Sequence, residues 1–298
     1  MKVNRNEDLK YLNDYYDGKI KLGLGIGNKL DDYIRFKNSQ FVLMNGFPNV
    51  GKTRFILWYF LCLSVKHNLK WCIWSGENKS GQLKRDLIQM LHNKPFKNLS
   101  RNMLEKYLDE INNWFTFIDN KKLYNHNDIL NLFAGVDCDG CLIDPYTGLS
   151  HDRSGKINQF DRNYNFCNEV REFCNRTGKT IYVNTHPQTE AARRVYPNGH
   201  LLAGFIQPPK SSDIEGGMVF NNRCDDSFVI HRMLNNPELY TMTEIYITKI
   251  KDTETGGKCS FVDPLRFDYN GGLGFTLGGV NPLNKKEEDL LNDEENIF

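Results

Sequence analysis

The sequence predicts an α/β protein in which a mostly parallel, twisted sheet carries helices on both faces and is extended by a β-hairpin. Two observations support this fold class. Apolar runs of strand length alternate with helix-length segments between residues 40 and 185, a pattern typical of parallel sheets. Two further strand-like runs near the C-terminus are separated by a glycine-containing turn. Because 40% of the 298 residues are hydrophobic, one large domain can bury an ample core.

The strands are short apolar runs that mostly end in polar residues, and each is followed by a helical pattern. The longest predicted helix, 156–177, has apolar residues every three or four positions and stops before Gly178. The hairpin comprises runs at 244–250 and 259–268, joined by a turn at 254–257. In chain order, strands are expected at Phe41–Asn45, Trp71–Ser75, 114–118, Gly140–Asp144, Thr180–Thr185 and 228–232, with helices from Lys52 and at 81–92 and 127–133.

Composition and charge divide the chain into three segments. Residues 1–36 are polar with Leu9 and Leu12 at helical spacing, and are predicted to form an arm and linker, a candidate subunit contact. Residues 37–280 form the predicted core domain. Residues 281–298 form an acidic tail, of which 285–298 carry six acidic and two basic residues. The remainder is mildly basic, which is compatible with nucleic-acid binding.

The cysteines and the apolar runs indicate a cellular compartment. The eight cysteines are scattered, and the N-terminus carries no apolar signal region. The longest apolar run covers nine residues, 55–63, far short of the ~20 residues of a membrane span. We therefore predict a reducing cytoplasm and no membrane partner.

The most specific motif is a complete phosphate-binding loop between the first strand and the first helix. Glycines at 46 and 51 let backbone N–H groups surround phosphate oxygens, and the helix start adds partial positive charge. Lys52 is predicted to reach the β- and γ-phosphates of ATP, and the Thr53 hydroxyl to join the Mg²⁺ shell. The predicted nucleotide-binding residues are Gly46, Asn49, Val50, Gly51, Lys52, Thr53 and Arg54.

Three further strands end in candidate catalytic side chains. Asp144 ends an apolar strand 92 residues after Lys52 and is predicted to hold Mg²⁺ through water. Glu77 follows the second strand and is predicted to orient or deprotonate the attacking water; the alternative is a helix-capping acid. His186 follows the fifth strand and could sense the γ-phosphate, although a lone histidine is more often structural.

Two loops after these strands carry basic residues with interleaved aromatics. The first contains Arg153 and Lys156, and the second, 188–217, contains Arg193, Arg194 and Lys210. Such loops can hold a phosphate backbone and stack on bases, so these five residues are predicted to bind single-stranded DNA. An ordinary solvated loop is the alternative. The length of the second loop favours a function.

The order of these motifs resembles the helicase domain of DnaB-type replicative helicases, and most closely that of phage and mitochondrial (Twinkle-like) primase-helicases. The likeness covers about residues 22–272 and includes Asp213–Gly217 and a strand ending in His231-Arg232. It implies a RecA-like domain that forms a hexameric ring around single-stranded DNA and binds ATP between subunits.

The resemblance assigns roles to individual residues. It places Lys52, Thr53, Glu77, Asp144 and His186 at the ATP site. It also implies that Arg232 contacts phosphates, and that Lys251 is the basic finger entering the neighbouring subunit's site. Lysine stands where arginine is usual and cannot make a bidentate planar contact. Either hydrolysis is slower or another arginine, such as Arg232, supplies the charge.

The same resemblance leaves alternatives and implies partners. A primase domain and a zinc module are absent from this sequence, so primase, polymerase or single-strand-binding protein are candidate partners. The acidic tail ending in Phe298 is similar to docking peptides, or is a disordered solubilising tail. A phage origin would place the chain in the bacterial host cytoplasm. A RecA- or RadA-like recombination ATPase and a non-translocating, ATP-switched scaffold are the rival functions.

Overall fold

The structure is a computed structural model that describes residues 4–151 and 158–284. Its centre is one nine-stranded sheet, with strands in the order β3-β2-β4-β5-β1-β6-β7-β8-β9. The strands are β1 Phe41–Asn45, β2 Trp71–Ser75, β3 Phe115–Phe117, β4 Gly140–Asp144, β5 Thr180–Thr185, β6 Asp226–His231, β7 Met242–Ile250, β8 Leu265–Tyr269 and β9 Phe275–Leu277.

The sheet is parallel over its first six positions and antiparallel over the last three. Strands β3, β2, β4, β5, β1 and β6 run parallel, whereas β7, β8 and β9 form an antiparallel extension. All of β1, β2, β4, β5 and β6 is buried, as expected for parallel strands covered on both faces. The predicted fold class is therefore confirmed.

Helices cover the two faces of the sheet, and each face has its own hydrophobic core. One core packs α2 and α3 with the antiparallel strands, and includes the stacked rings of Phe60 and Trp71. The other packs α5, α6 and α7, and includes Phe166 and Phe220. The helices are α1 Arg5–Tyr16, α2 Lys52–His67, α3 Ser80–Leu91, α4 Leu104–Asn112, α5 His126–Ala134, α6 Gln159–Thr177, α7 Met218–Arg223 and α8 Thr253–Gly256.

The topology brings the predicted site residues to one edge of the sheet. Parallel pairing aligns Asn45 with Thr185, and Ser75 with Asp144, so the carboxyl ends of these strands meet. In open parallel sheets, ligands bind outside the carboxyl ends of the strands. The loops after β1, β2, β4 and β5 therefore surround one cleft.

The C-terminal extension differs from the prediction in detail. The strand expected at 259–268 is confined to Leu265–Tyr269, because Pro264, which has no N–H, directly precedes it. The predicted turn at 254–257 overlaps α8, a single helical turn. The ninth strand and α4 were not predicted.

The N-terminal segment forms the predicted helix but buries none of it. Helix α1 has no buried residue, and its side chains Leu9, Leu12 and Tyr16 are exposed. Tyr15 donates a hydrogen bond to Glu254. The division into 1–36, 37–280 and 281–298 stays a prediction, and residues 285–298 lie outside the described part of the chain. Among the described residues, no helix is long and apolar enough to cross a bilayer.

Candidate nucleotide site

A cleft of about 910 Å³ opens at the carboxyl edge of the parallel strands. The phosphate-binding loop forms its floor, and the residues after β2 and β5 form its walls. Six predicted site residues line this one cleft: Gly51, Lys52, Thr53, Glu77, His186 and Arg232. Asp144 lies beneath it and contacts Thr53.

The loop geometry requires glycine at both fixed positions. A Cβ atom at Gly46 would lie 2.5 Å from the Ile230 carbonyl oxygen, a distance that the packed backbone forbids. Gly51 has φ of +93° and immediately precedes α2. No side chain caps the helix N-terminus, so its first N–H groups remain free for phosphate oxygens.

Lys52 is buried and turned back into the loop. Its ammonium donates to the carbonyl oxygens of Gly46 at 2.7 Å and Phe47 at 2.9 Å, and to His186 Nδ1 at 3.2 Å. Burial lowers the pKa of Lys52 to about 8, although Asp144 and Glu77 oppose the shift. Phosphate oxygens in the cleft would replace these neutral acceptors and restore the full charge.

Asp144 is held by neighbours on three elements. Its Oδ2 accepts from the Thr53 hydroxyl at 2.9 Å, and its Oδ1 accepts from the Asn184 amide. The Ser75 hydroxyl lies at 3.5 Å. Burial raises the pKa of Asp144, while the hydrogen bonds from Asn184 and Thr53 oppose that rise. A carboxylate fixed beside a hydroxyl provides the hard oxygen donors that Mg²⁺ prefers.

The donor set fits an Mg²⁺ ion that is shared with a nucleotide. Within the described ranges, no group of three or more His, Cys, Asp and Glu side chains could hold a metal alone. Mg²⁺ commonly keeps several waters and binds through one or two protein oxygens together with phosphates. Thr53 and Asp144 would supply the protein's share.

His186 connects Lys52 to Glu77. Burial, together with the Lys52 charge, lowers the pKa of His186 to about 4, so the imidazole is neutral at pH 7. Because Nδ1 accepts from Lys52, the remaining ring proton is on Nε2, which lies 4.0 Å from Glu77 Oε1. The Glu77 side chain is 62% exposed and faces the solvent-filled cleft. A water molecule can therefore reach this carboxylate.

Arg232 lines the far wall of the cleft. It donates to the Tyr240 carbonyl oxygen, at 2.6 Å for the closer nitrogen, and its guanidinium lies 4.9 Å from the centre of the Tyr269 ring. Arg54 also contacts Tyr269 and pairs with Asp86 at 3.4 Å. Sequence reasoning missed Tyr269, Asp86 and Asn184. Only Asn184 carried a signal, since it is a polar residue at a strand end beside His186.

The predicted finger residue lies away from this chain's own cleft. Lys251 follows β7, and its ammonium pairs with Asp225 Oδ1 at 3.1 Å. It does not line the cleft described above. Its predicted role in a neighbouring subunit's site stays a prediction.

The structure places only part of the predicted DNA-binding set. Arg153 and Lys156 lie outside the described residues. Arg193 is largely exposed and pairs with Glu190 at 2.8 Å, whereas Arg194 pairs with Asp213. Lys210 is exposed. Arg193 and Lys210 therefore present charge to solvent, and Arg194 braces the loop internally.

Comparisons with known proteins agree with this architecture. No family model matches the sequence. A Twinkle homolog protein, chloroplastic/mitochondrial, of Arabidopsis thaliana is 23% identical over 268 residues, which are 81% of this chain and 35% of that protein. The chain thus spans about a third of the length of this curated relative.

Solved structures show the same fold. An ATPase domain aligns with a TM-score of 0.72 at 14% identity, covering 93% of this chain and 99% of that one. A DnaB-like replicative helicase, solved with its interactions with primase in view, gives 0.70 at 14% identity over 93% and 67%. A KaiC-like protein from Pyrococcus horikoshii gives 0.54 at 17% over 87% and 97%. The predicted RecA-like fold and the resemblance to DnaB-type and Twinkle-like helicase domains are confirmed.

Proposed function

We propose that this chain is an ATP-dependent, replicative helicase-like motor that hydrolyses ATP and translocates on single-stranded DNA. The observation that carries the proposal is the chain of contacts in one cleft, from Glu77 through His186 to Lys52, beside the Thr53–Asp144 pair. Phosphate-binding, metal-binding and water-orienting groups thus meet at the edge where the sheet admits a ligand.

Each residue has a distinct part in hydrolysis. Lys52 and the N–H groups of the loop bind the β- and γ-phosphates. Bound Mg²⁺ would neutralise charge between these phosphates, and Thr53 and Asp144 would hold it. Glu77 orients the attacking water and accepts its proton. Since His186 touches Lys52 and faces Glu77, it can report loss of the γ-phosphate to the loop that follows it.

The oligomeric part of the proposal concerns residues outside the cleft. In a ring, probably best tested as a hexamer, helix α1 would dock its exposed apolar side chains on a neighbouring copy, and Lys251 would leave Asp225 to reach the neighbour's phosphates. The basic loop, residues 188–217, would face single-stranded DNA. A primase, polymerase or single-strand-binding protein would act beside it in the cytoplasm.

One observation favours the scaffold alternative. Lys251 is a lysine, and it is paired within its own chain. If it never leaves Asp225, ATP would act as a binding switch with slow turnover. The motor is preferred because Glu77 has an open route for water.

Unwinding of a forked DNA duplex tests the proposal, with Glu77→Gln as the diagnostic variant and Glu238→Gln as the exposed control. We expect ATP-dependent unwinding by the wild type and the control. Glu77→Gln should bind ATP normally but lose about 10²-fold or more of its hydrolysis rate, because the amide cannot accept a proton. Tight ATP binding with slow turnover that DNA does not change would contradict the motor.

A further inference from the structure

A second cavity, of about 400 Å³, lies beside the nucleotide cleft. Four residues line both spaces and form the wall between them: Phe47, Pro48, Ala192 and Arg232. The second cavity includes neither Lys52 nor Thr53, so it lacks the phosphate-binding groups. Its opposite wall belongs to the basic loop, through Gly204, Phe205 and Ile206.

The cavity contains a buried histidine whose hydrogen bonds are unmet. His231, the last residue of β6, is 2% exposed, and neither ring nitrogen has a hydrogen-bond partner among the described residues. The backbone of Ile206 approaches the ring without satisfying it. Burial lowers the pKa of His231 to about 4, so the imidazole is neutral and offers one donor and one acceptor. A buried polar group without a partner is costly and calls for an explanation.

The remaining lining selects the class of ligand. It is mainly apolar, with Val50, Phe205, Met233 and Leu234 around His231. The one cation, Arg232, is already engaged with the Tyr240 carbonyl and the Tyr269 ring. A charged ligand would therefore lack a partner, whereas a neutral, flat ring with nitrogen donors and acceptors would match both the apolar walls and the imidazole.

We propose that this cavity is a second binding site, which takes a neutral heteroaromatic base and holds it through His231. The base can come from a free nucleobase or from a single DNA strand on the basic loop; the second source rests on the proposed function. Either occupant would sit between the phosphate-binding loop and the basic loop, and would fix their separation.

The first test measures free adenine binding by saturation-transfer NMR, with saturating Mg²⁺ and ADP filling the nucleotide cleft. His231→Phe keeps the ring size but removes both nitrogens. Leu234→Trp narrows the cavity from its exposed side and serves if His231→Phe does not fold. Val195→Trp, an exposed position on the same loop outside the cavity lining, is the control. We expect both cavity variants to weaken adenine binding about tenfold, and the control to leave it unchanged.

The second test places a single 2-aminopurine in a thymidine strand and follows its fluorescence on binding. A signal that the cavity variants abolish and Val195→Trp retains identifies the strand as the source of the base. An adenine response with no strand response identifies the free base. The inference is overturned if neither probe responds to His231→Phe or Leu234→Trp. DNA-stimulated hydrolysis with both probes silent would leave the proposed function standing without this site, and adenine binding without hydrolysis would do the reverse.

Discussion

The nucleotide cleft and the basic loop are built in opposite ways. In the cleft, the functional side chains are buried and tied to one another: Lys52 is 6% exposed and Asp144 is 1% exposed. In the loop, Arg193 is 75% exposed and its one ion pair is to Glu190, three residues away. The cleft is therefore fixed before any ligand arrives, which suits chemistry. The loop carries exposed, rearrangeable charge, which suits a moving partner that is held mainly by its phosphates.

The largest difference between the two regions should appear when the cleft loses its lysine. We expect Lys52→Ala to lower the ATP hydrolysis rate about 10³-fold, because the phosphates lose a charged donor in a buried site. Lys66→Ala, an exposed lysine on the same helix, is the matched control and should change the rate less than twofold. Steady-state hydrolysis assays measure both. Equal rates for the two variants would remove the cleft from the chemistry.

A change beneath the cleft should have a smaller effect. Asn184→Ala removes the amide that donates to Asp144 Oδ1. Outer partners of metal-holding carboxylates commonly contribute 10- to 100-fold to metal affinity, so we expect the Mg²⁺ concentration for half-maximal hydrolysis to rise about tenfold. Asn127→Ala, on the exposed side of α5, is the control. An unchanged Mg²⁺ requirement would show that Asp144 needs no such support.

How far sequence reasoning reached differs between these regions for a physical reason. Parallel strands buried on both faces leave continuous apolar runs, so β1, β2, β4 and β5 were predicted with their observed bounds. Their polar ends then located Asp144 and His186. The Tyr269 contact with Arg54 could not be predicted, because it joins residues 215 positions apart. Helix α4 was missed, since only Ile111 in it is buried.

The basic loop should respond in affinity rather than in chemistry. Arg193→Ala with Lys210→Ala should weaken single-stranded DNA binding about tenfold and make it less salt-dependent, since fewer phosphates are neutralised. Hydrolysis without DNA should be unchanged. Lys94→Ala with Arg101→Ala removes the same charge from an exposed surface elsewhere and is the control. Fluorescence anisotropy at several salt concentrations measures the effect. A similar loss in the control pair would reduce the loop's role to net charge.

The smallest expected effect concerns pH. Because burial lowers the pKa of Lys52 to about 8 in the free protein, its charged fraction falls as pH rises through 8. Phosphates bind the charged form, so affinity for a non-hydrolysable ATP analogue should fall several-fold between pH 7 and pH 9. The Lys52→Ala variant should not show this fall. Calorimetric titration measures it, and an equal fall in the variant would assign the titration to another group.

The dependence of ATP hydrolysis on single-stranded DNA tests most directly whether the fixed cleft and the exposed loop work together. We predict that a saturating single strand raises the wild-type rate at least tenfold. In the Arg193→Ala, Lys210→Ala variant, the same maximum should be reached only at higher DNA concentration. A rate that is indifferent to DNA in both proteins would contradict the motor and leave a nucleotide-binding switch.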